Sequence, residues 1–216
     1  MDWKKYIRRA ICIFPSIPVA GLGVLLMAYC EWGTDPLTTF EIGMGNVFGV
    51  QLGTASLVFE GMVFFVFLFL RRDLVNIGTL EWCFLIGPSM NVMQGILDPI
   101  IAGIEMTVAV KIAFIILGSL LIIISLSYYI PIGLGYQTSD IFAFVAADLI
   151  HKSYGVGLIV SYAVLFIIGV LCGASWGIGT IVAVALYGPI IDRLMPHFKP
   201  FSYKVAGMTE TDVTNG

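Results

Sequence analysis

The sequence predicts an all-α polytopic membrane protein: six transmembrane helices plus two short re-entrant helices, arranged in two inverted repeats. Three observations carry this reading. Of the 216 residues 59% are hydrophobic and only 12% are charged, about half the charged share of an ordinary soluble domain, and the mean hydropathy is +0.98. Apolar runs long enough to cross a hydrocarbon core of about 30 Å recur along the chain. The marks of the first half also return in the second, Ile77-Gly78-Thr79 as Ile178-Gly179-Thr180 and Gly87-Pro88 as Gly188-Pro189, at one offset of 101 residues. A soluble fold of this size cannot hide so much apolar surface, and a net charge of −3 offers no basic excess for phosphate backbones. A soluble enzyme, a disordered chain and a nucleic-acid binder are excluded.

The elements follow in order. Residues 1–10 form a cytoplasmic N-terminus; no small-residue cleavage site follows the first apolar run, and Pro15 and Pro18 interrupt it, so this is a retained span rather than a signal peptide. The six spans are read at 11–30, 52–70, 77–97, 108–130, 154–173 and 177–195. Two apolar pieces, Pro36 to Gly49 and Thr138 to His151, reach only about 21 Å as helices and read as re-entrant. The first membrane repeat covers 11–105 and the second 106–196; residues 197–216 form a polar cytoplasmic tail, mobile from residue 200.

Charge supports this count. With both termini on one side, ten of the eleven basic residues share that side and only Lys111 lies opposite, which makes it the cytoplasmic face. Three spans per half is an odd number, so the second copy lies upside down relative to the first, the plan in which a site forms near the midplane between matched discontinuous helices. Phe40 aligns with Phe142 and Gly53 with Gly155 at an offset of 102, and Asn91 with Asp192 at 101.

The run Gly33-Thr34-Asp35-Pro36-Leu37-Thr38, with Gly53-Thr54-Ala55-Ser56 and Ile77-Gly78-Thr79, resembles the YczE/YyaS/YitT group of bacterial integral membrane proteins over roughly residues 15–195. The group's first short helix begins Gly-x-x-Pro-Trp-Asp. Here Leu37 and Thr38 stand in the last two places, Asp35 lies nearby, and Asp140 occupies the second-half position aligned with Thr38. The resemblance implies a multi-pass protein of the bacterial cytoplasmic membrane and no particular reaction.

The candidate substrate-binding residues open the two short helices: Asp35, Thr38 and Thr39 in the first, Gln137, Thr138, Ser139 and Asp140 in the second. Asp35 before Pro36 also reads as a plain N-cap. If the two starts meet, unpaired N–H groups favour an anion, whereas the two acids favour a cation or proton; the sequence leaves the sign open. Glu60 lies in the middle of a span, where a carboxylate costs on the order of 3 kcal/mol to insert, so it points to the bundle interior as an ion or proton path or as a hydrogen-bond partner. Glu41 lines the same cavity or an outer vestibule, and Glu81 sits near the cytoplasmic face. Pro88 and Pro189 kink their spans, with Asn91 and Asp192 about one turn on, as a packing kink or a hinge.

Gly173-Ala174-Ser175-Trp176-Gly177 fits the GxSxG elbow of hydrolases. The only histidines, His151 and His197, fall on the opposite face from Ser175, so no base reaches it. Cys12, Cys30, Cys83 and Cys172 have no metal or CxxC spacing and read as packed small residues. The expectation is therefore a secondary transporter or permease for a small polar or ionic solute, not an enzyme, with no cofactor or metal. The lipid bilayer is its surroundings, and a homodimer is compatible with so small a unit. The alternative is a non-transporting accessory that acts through a protein partner, for which the polar tail is the best support.

Overall fold

Helix-starting and helix-stopping residues punctuate the chain. In the computed structural model, which describes residues 3–152 and 154–209, α1 (Trp3–Ile13) breaks at Phe14–Pro15 before α2 (Ser16–Cys30). Asp35 caps α3 (Pro36–Phe48), with proline in its first turn, and Gly49 ends it in the left-handed region. After α4 (Leu52–Leu70), a 3-10 turn leads to Asn76, whose capping box with Thr79 starts α5 (Ile77–Ile101). Thr107 caps α6 (Val108–Tyr129), and a second 3-10 turn, Ile130–Ile132, precedes α7 (Thr138–Ile150), α8 (Tyr154–Leu171) and α9 (Ile178–Ala206). No strand occurs among the described residues.

The arrangement is built on α2 against α6, flanked by α5 and α9, and on α3 and α7 packed against α8, with α4 beside α5. The largest apolar cluster joins Met27, Trp82, Ile122, Tyr129 and Tyr187 in the first group. Smaller clusters, around Ile141 and around Leu37, Phe40 and Leu165, hold the second. Outward faces are apolar too. Ile112, Ile116, Leu120 and Ile124 of α6 are exposed at four-residue spacing, and Val58, Met62, Phe65 and Phe69 along α4 at spacings of three and four. Such faces suit lipid and not water.

Among the described residues three helical runs are long and apolar enough to cross a membrane: Trp3–Cys30, Leu52–Leu70 and Val108–Ile132. A fourth is Ile178–Ile191 with Arg193–Ala206, bent by 56° and counted if it is one span. Length and apolarity thus support three or four spans where the sequence count was six. The α5 run is diluted by Glu81, Asn91, Gln94, Asp98 and two prolines, and the apolar stretch of α8, Val156–Leu171, is short.

The expected mobile tail from residue 200 is also corrected. α9 continues to Ala206, with Ser202, Ala206 and Met208 buried. The reason is a distant partner: Arg8 Nε donates to the Val205 carbonyl at 2.8 Å, a cation at a helix C-terminus. Residues 210–216 lie outside the described residues.

Two basic residues tie the loops. Arg71 Nε and Nη2 hold Asp73 at 3.0 and 2.9 Å, and Nη1 reaches Asp148 at 2.5 Å on α7. The Arg71 guanidinium holds the Asp73 carboxyl below the usual carboxylate range. Its contribution is present above the unfolded carboxylate's value and lost as pH falls through the lowered one. Arg9, buried, donates from Nη2 to the carbonyls of Ile132 at 2.7 Å and Gly133 at 3.1 Å, fixing the chain just ahead of α7. Arg9→Met removes hydrogen bonds from a charged donor, worth about 1.5–3 kcal/mol each, and is expected to lower the thermal midpoint in detergent clearly, whereas Arg8→Met, at an exposed site, is expected to lower it less.

Candidate functional site

The two short helices start from matching loops. A helix leaves its first N–H groups without internal partners. Here α5 gives its Gly78 N–H to the Leu134 carbonyl at 2.7 Å, and α9 gives its Gly179 N–H to the Trp32 carbonyl at 2.8 Å. Gly33 and Gly135 carry positive φ, +91° and +100°, in these loops, a conformation that favours glycine. A Cβ on either would meet the hydroxyl of the threonine one turn into the facing helix, Thr180 or Thr79. The loop before α3 is thus docked on α9 as the loop before α7 is docked on α5, shifted by 101 or 102 residues.

Between these starts lies a cavity of about 70 Å³ with walls from α2 through α9. Its polar wall carries Asp35, Thr38 and Glu41 from the α3 side, Ser56 and Glu60 from α4, and Gln137 and Ser139 at the start of α7. Trp82, Tyr162 and Tyr187 supply aromatic surface, and no Lys, Arg or His lines it. Glu41, Ser56 and Glu60 are buried. Ser56 and Glu60 lie beside the Glu41 carboxyl, and Cys83 and Thr138 lie beside Glu60. Glu41 Oε1, Ser56 Oγ, Glu60 Oε2 and Trp82 Nε1 are buried with no hydrogen-bond partner. Unpaired buried polar atoms cost roughly 1–3 kcal/mol each, so four on residues that line one cavity mark a place for something polar. Two carboxylates side by side need a proton or a cation between them.

The structure brings together only part of the expected set. Asp35 is first a cap: Oδ1 accepts from the Leu37 and Thr38 N–H groups at 3.1 Å each, and Oδ2 from the Thr38 hydroxyl at 2.5 Å. Thr39 turns away from the cavity, its hydroxyl donating to the Asp35 carbonyl at 2.9 Å. Gln137 and Ser139 line the cavity, Ser139 beside Tyr162. Thr138 is buried against Cys83, 3.6 Å away. Asp140 is half-buried near Tyr162, outside the lining.

Asn91 bonds Thr54 across the α4–α5 contact at 3.0 Å and does not line the cavity. Pro88 lies within a continuous α5. Pro189 precedes the α9 bend on an exposed face. The Asp192 side chain lies outside the described residues. Ser175 is exposed in the α8–α9 turn. Glu81 Oε2 is buried without a partner beside an apolar groove formed with α1.

Sequence reasoning missed Ser56, Trp82, Tyr162 and Tyr187 as lining residues. A signal existed for the tyrosines: both sit well inside apolar runs, away from the membrane interfaces where tyrosines gather. Ser56 stood inside a quoted motif, but a lone serine in an apolar helix carries no address.

A profile of a family of unknown function (DUF6198) matches residues 7–196, and the chain belongs to that family. No curated protein matches the chain, and no solved structure does.

Proposed function

We propose that the protein is a multi-pass secondary transporter or permease of the bacterial cytoplasmic membrane for a small cation, with the solute held in the cavity between the starts of α3 and α7. One observation carries this reading: among the described residues the cavity is lined by three carboxyl side chains and no basic one, while Glu41, Ser56 and Glu60 of its lining each carry a buried polar atom without a partner. The sequence left the sign of the solute open; this lining favours a positive one. At about 70 Å³ the cavity suits a small solute.

The matched loop contacts support two inverted repeats with α3 and α7 as re-entrant helices, within a six-span topology. Arg8 bonding at the end of α9, and Tyr6 bonding Asn76 at 2.6 Å, gather both chain ends and the basic Arg71–Arg72 turn at one end of the bundle. Lys111 lies over Trp32, 5.4 Å from the ring centroid, beside the loop that opens α3. This distribution supports cytoplasmic termini. In the proposed cycle one repeat rocks against the other, and the Glu41–Glu60 pair exchanges a proton for the solute cation as access alternates. Residues 200–206 continue α9, and Ser202 and Met208 are buried, which leaves the accessory-protein alternative to rest on the residues beyond 209.

The test is flux in proteoliposomes of the purified protein. Wild type is expected to move protons against a small cation, and Glu60→Gln to lose this exchange. If Asp35→Asn, Asp140→Asn and Glu60→Gln combined leave every flux unchanged, the coupling reading fails.

A further inference from the structure

We infer that the cavity recognises a primary ammonium group, on ammonium itself or a methylammonium-sized amine; this rests on the cavity named above as the transport site. Methylammonium presents three N–H donors, as a lysine ammonium does, and ammonium itself presents four. Three residues that line the cavity, Glu41, Ser56 and Glu60, each carry a buried acceptor atom without a partner, Glu41 Oε1, Ser56 Oγ and Glu60 Oε2, and the first and last belong to side chains that supply the opposite charge. Asp35 is not part of this tripod, since its oxygens are taken up by the α3 cap.

Two features separate an ammonium from a metal ion. No group of three or more His, Cys, Asp and Glu side chains is arranged to hold a metal among the described residues. The remaining walls are aromatic and aliphatic. Tyr187 spends its hydroxyl on Ser119 at 3.1 Å and Met27 at 2.9 Å, so its ring is left to line the cavity. Trp82 and Tyr162 stand nearby, with Val24, Ile86 and Leu126 as aliphatic wall. Aromatic faces attract weakly hydrated organic cations, and the aliphatic wall takes a methyl group. The volume leaves room for one accompanying water, whose oxygen would accept from the unpaired Trp82 Nε1–H.

The experiment is equilibrium binding of radiolabelled methylammonium to the purified full-length protein in detergent, alongside methylammonium flux in proteoliposomes. Saturable binding is expected, competed by ammonium but not by sodium or tetramethylammonium, which lacks N–H donors. Ser56→Ala is expected to weaken it about 3- to 10-fold, the loss of one hydrogen bond. Glu60→Gln is expected to weaken it more than tenfold, with each variant's thermal unfolding recorded to confirm that it folds. Absence of saturable binding, or binding indifferent to both substitutions, overturns the proposal. If methylammonium fails to bind while acid-dependent flux of another cation persists, the ammonium assignment falls and the transporter reading stands. Binding without flux supports the site and refutes transport.

Discussion

Gly78→Ala and Gly179→Ala are each expected to destabilise the protein by about 2–3 kcal/mol, although the same exchange in an open helix position stabilises. Alanine exceeds glycine in helix propensity by about 1 kcal/mol. At these positions the gain is overwhelmed. A Cβ on Gly78 would run into the backbone carbonyl of Leu134, and one on Gly179 into that of Gly33. Neither obstacle is the free end of a flexible side chain. The loop must retreat, breaking a hydrogen bond from each helix start, worth roughly 0.5–1.5 kcal/mol, on top of an overpacking cost of about 1–3 kcal/mol. Gly95→Ala is the control: it lies on the same helix α5, and nothing stands within 4 Å of its Cβ position. Thermal midpoints in detergent are expected to fall for the first two and rise slightly for the third. Equal behaviour of Gly78→Ala and Gly95→Ala would mean that the loop before α7 is not docked on α5.

Glu60→Gln is expected to lower solute flux by at least about tenfold, equivalent to the 1.5 kcal/mol or more carried by a hydrogen bond to a charged group, while leaving the thermal midpoint unchanged or raising it. The two readouts separate function from structure. If Glu60 served only to hold neighbouring helices, its loss would lower stability and leave flux in proportion to folded protein. A buried carboxyl pair instead costs folding energy, and replacing one member by a neutral group of equal volume relieves that cost. Sites of this kind trade stability for activity. The groups that lie beside the pair come from several elements: Asp35 from the α3 start, Ser56 from α4, Cys83 from α5 and Thr138 from α7. Asp35→Ala provides a contrast. It removes a helix cap, so stability is expected to fall by about 1 kcal/mol.

Glycine acts through the local backbone, so the Gly78 and Gly179 marks were legible, and the structure docks a loop on each; sequence reasoning missed the positive-φ pair Gly33 and Gly135. Asp35 with Pro36 likewise foretold the start of α3, and the cap it forms is the plain structural one. Side-chain direction was less legible. Thr38 and Thr39 are adjacent, but successive residues on a helix point about 100° apart, so Thr38 lines the cavity while Thr39 bonds back to its own loop. Asn91 looked like the polar mate of a kink and turned out to bond Thr54 on the neighbouring helix.

The meeting of Glu41 and Glu60 depends on how α3 lies beside α4, which no periodicity within either helix reveals. The end of α9 was missed for the same reason. Pro196 and Pro200 argue locally against a helix, and the buried Ser202 with its hydroxyl on the Tyr128 carbonyl at 2.7 Å argues for one only once α6 is in place.

The central claim is that the starts of α3 and α7 share one cavity reached from opposite faces of the membrane. Thiol accessibility tests it most directly. With Cys12, Cys30, Cys83 and Cys172 replaced, single cysteines at Thr38 and Ser139 are labelled in oriented vesicles by an impermeant reagent applied from each side in turn. The account predicts labelling of the Thr38 position from outside and of the Ser139 position from inside, with both slowed by methylammonium. Labelling of both positions from the same face, or of neither from any face, would contradict it.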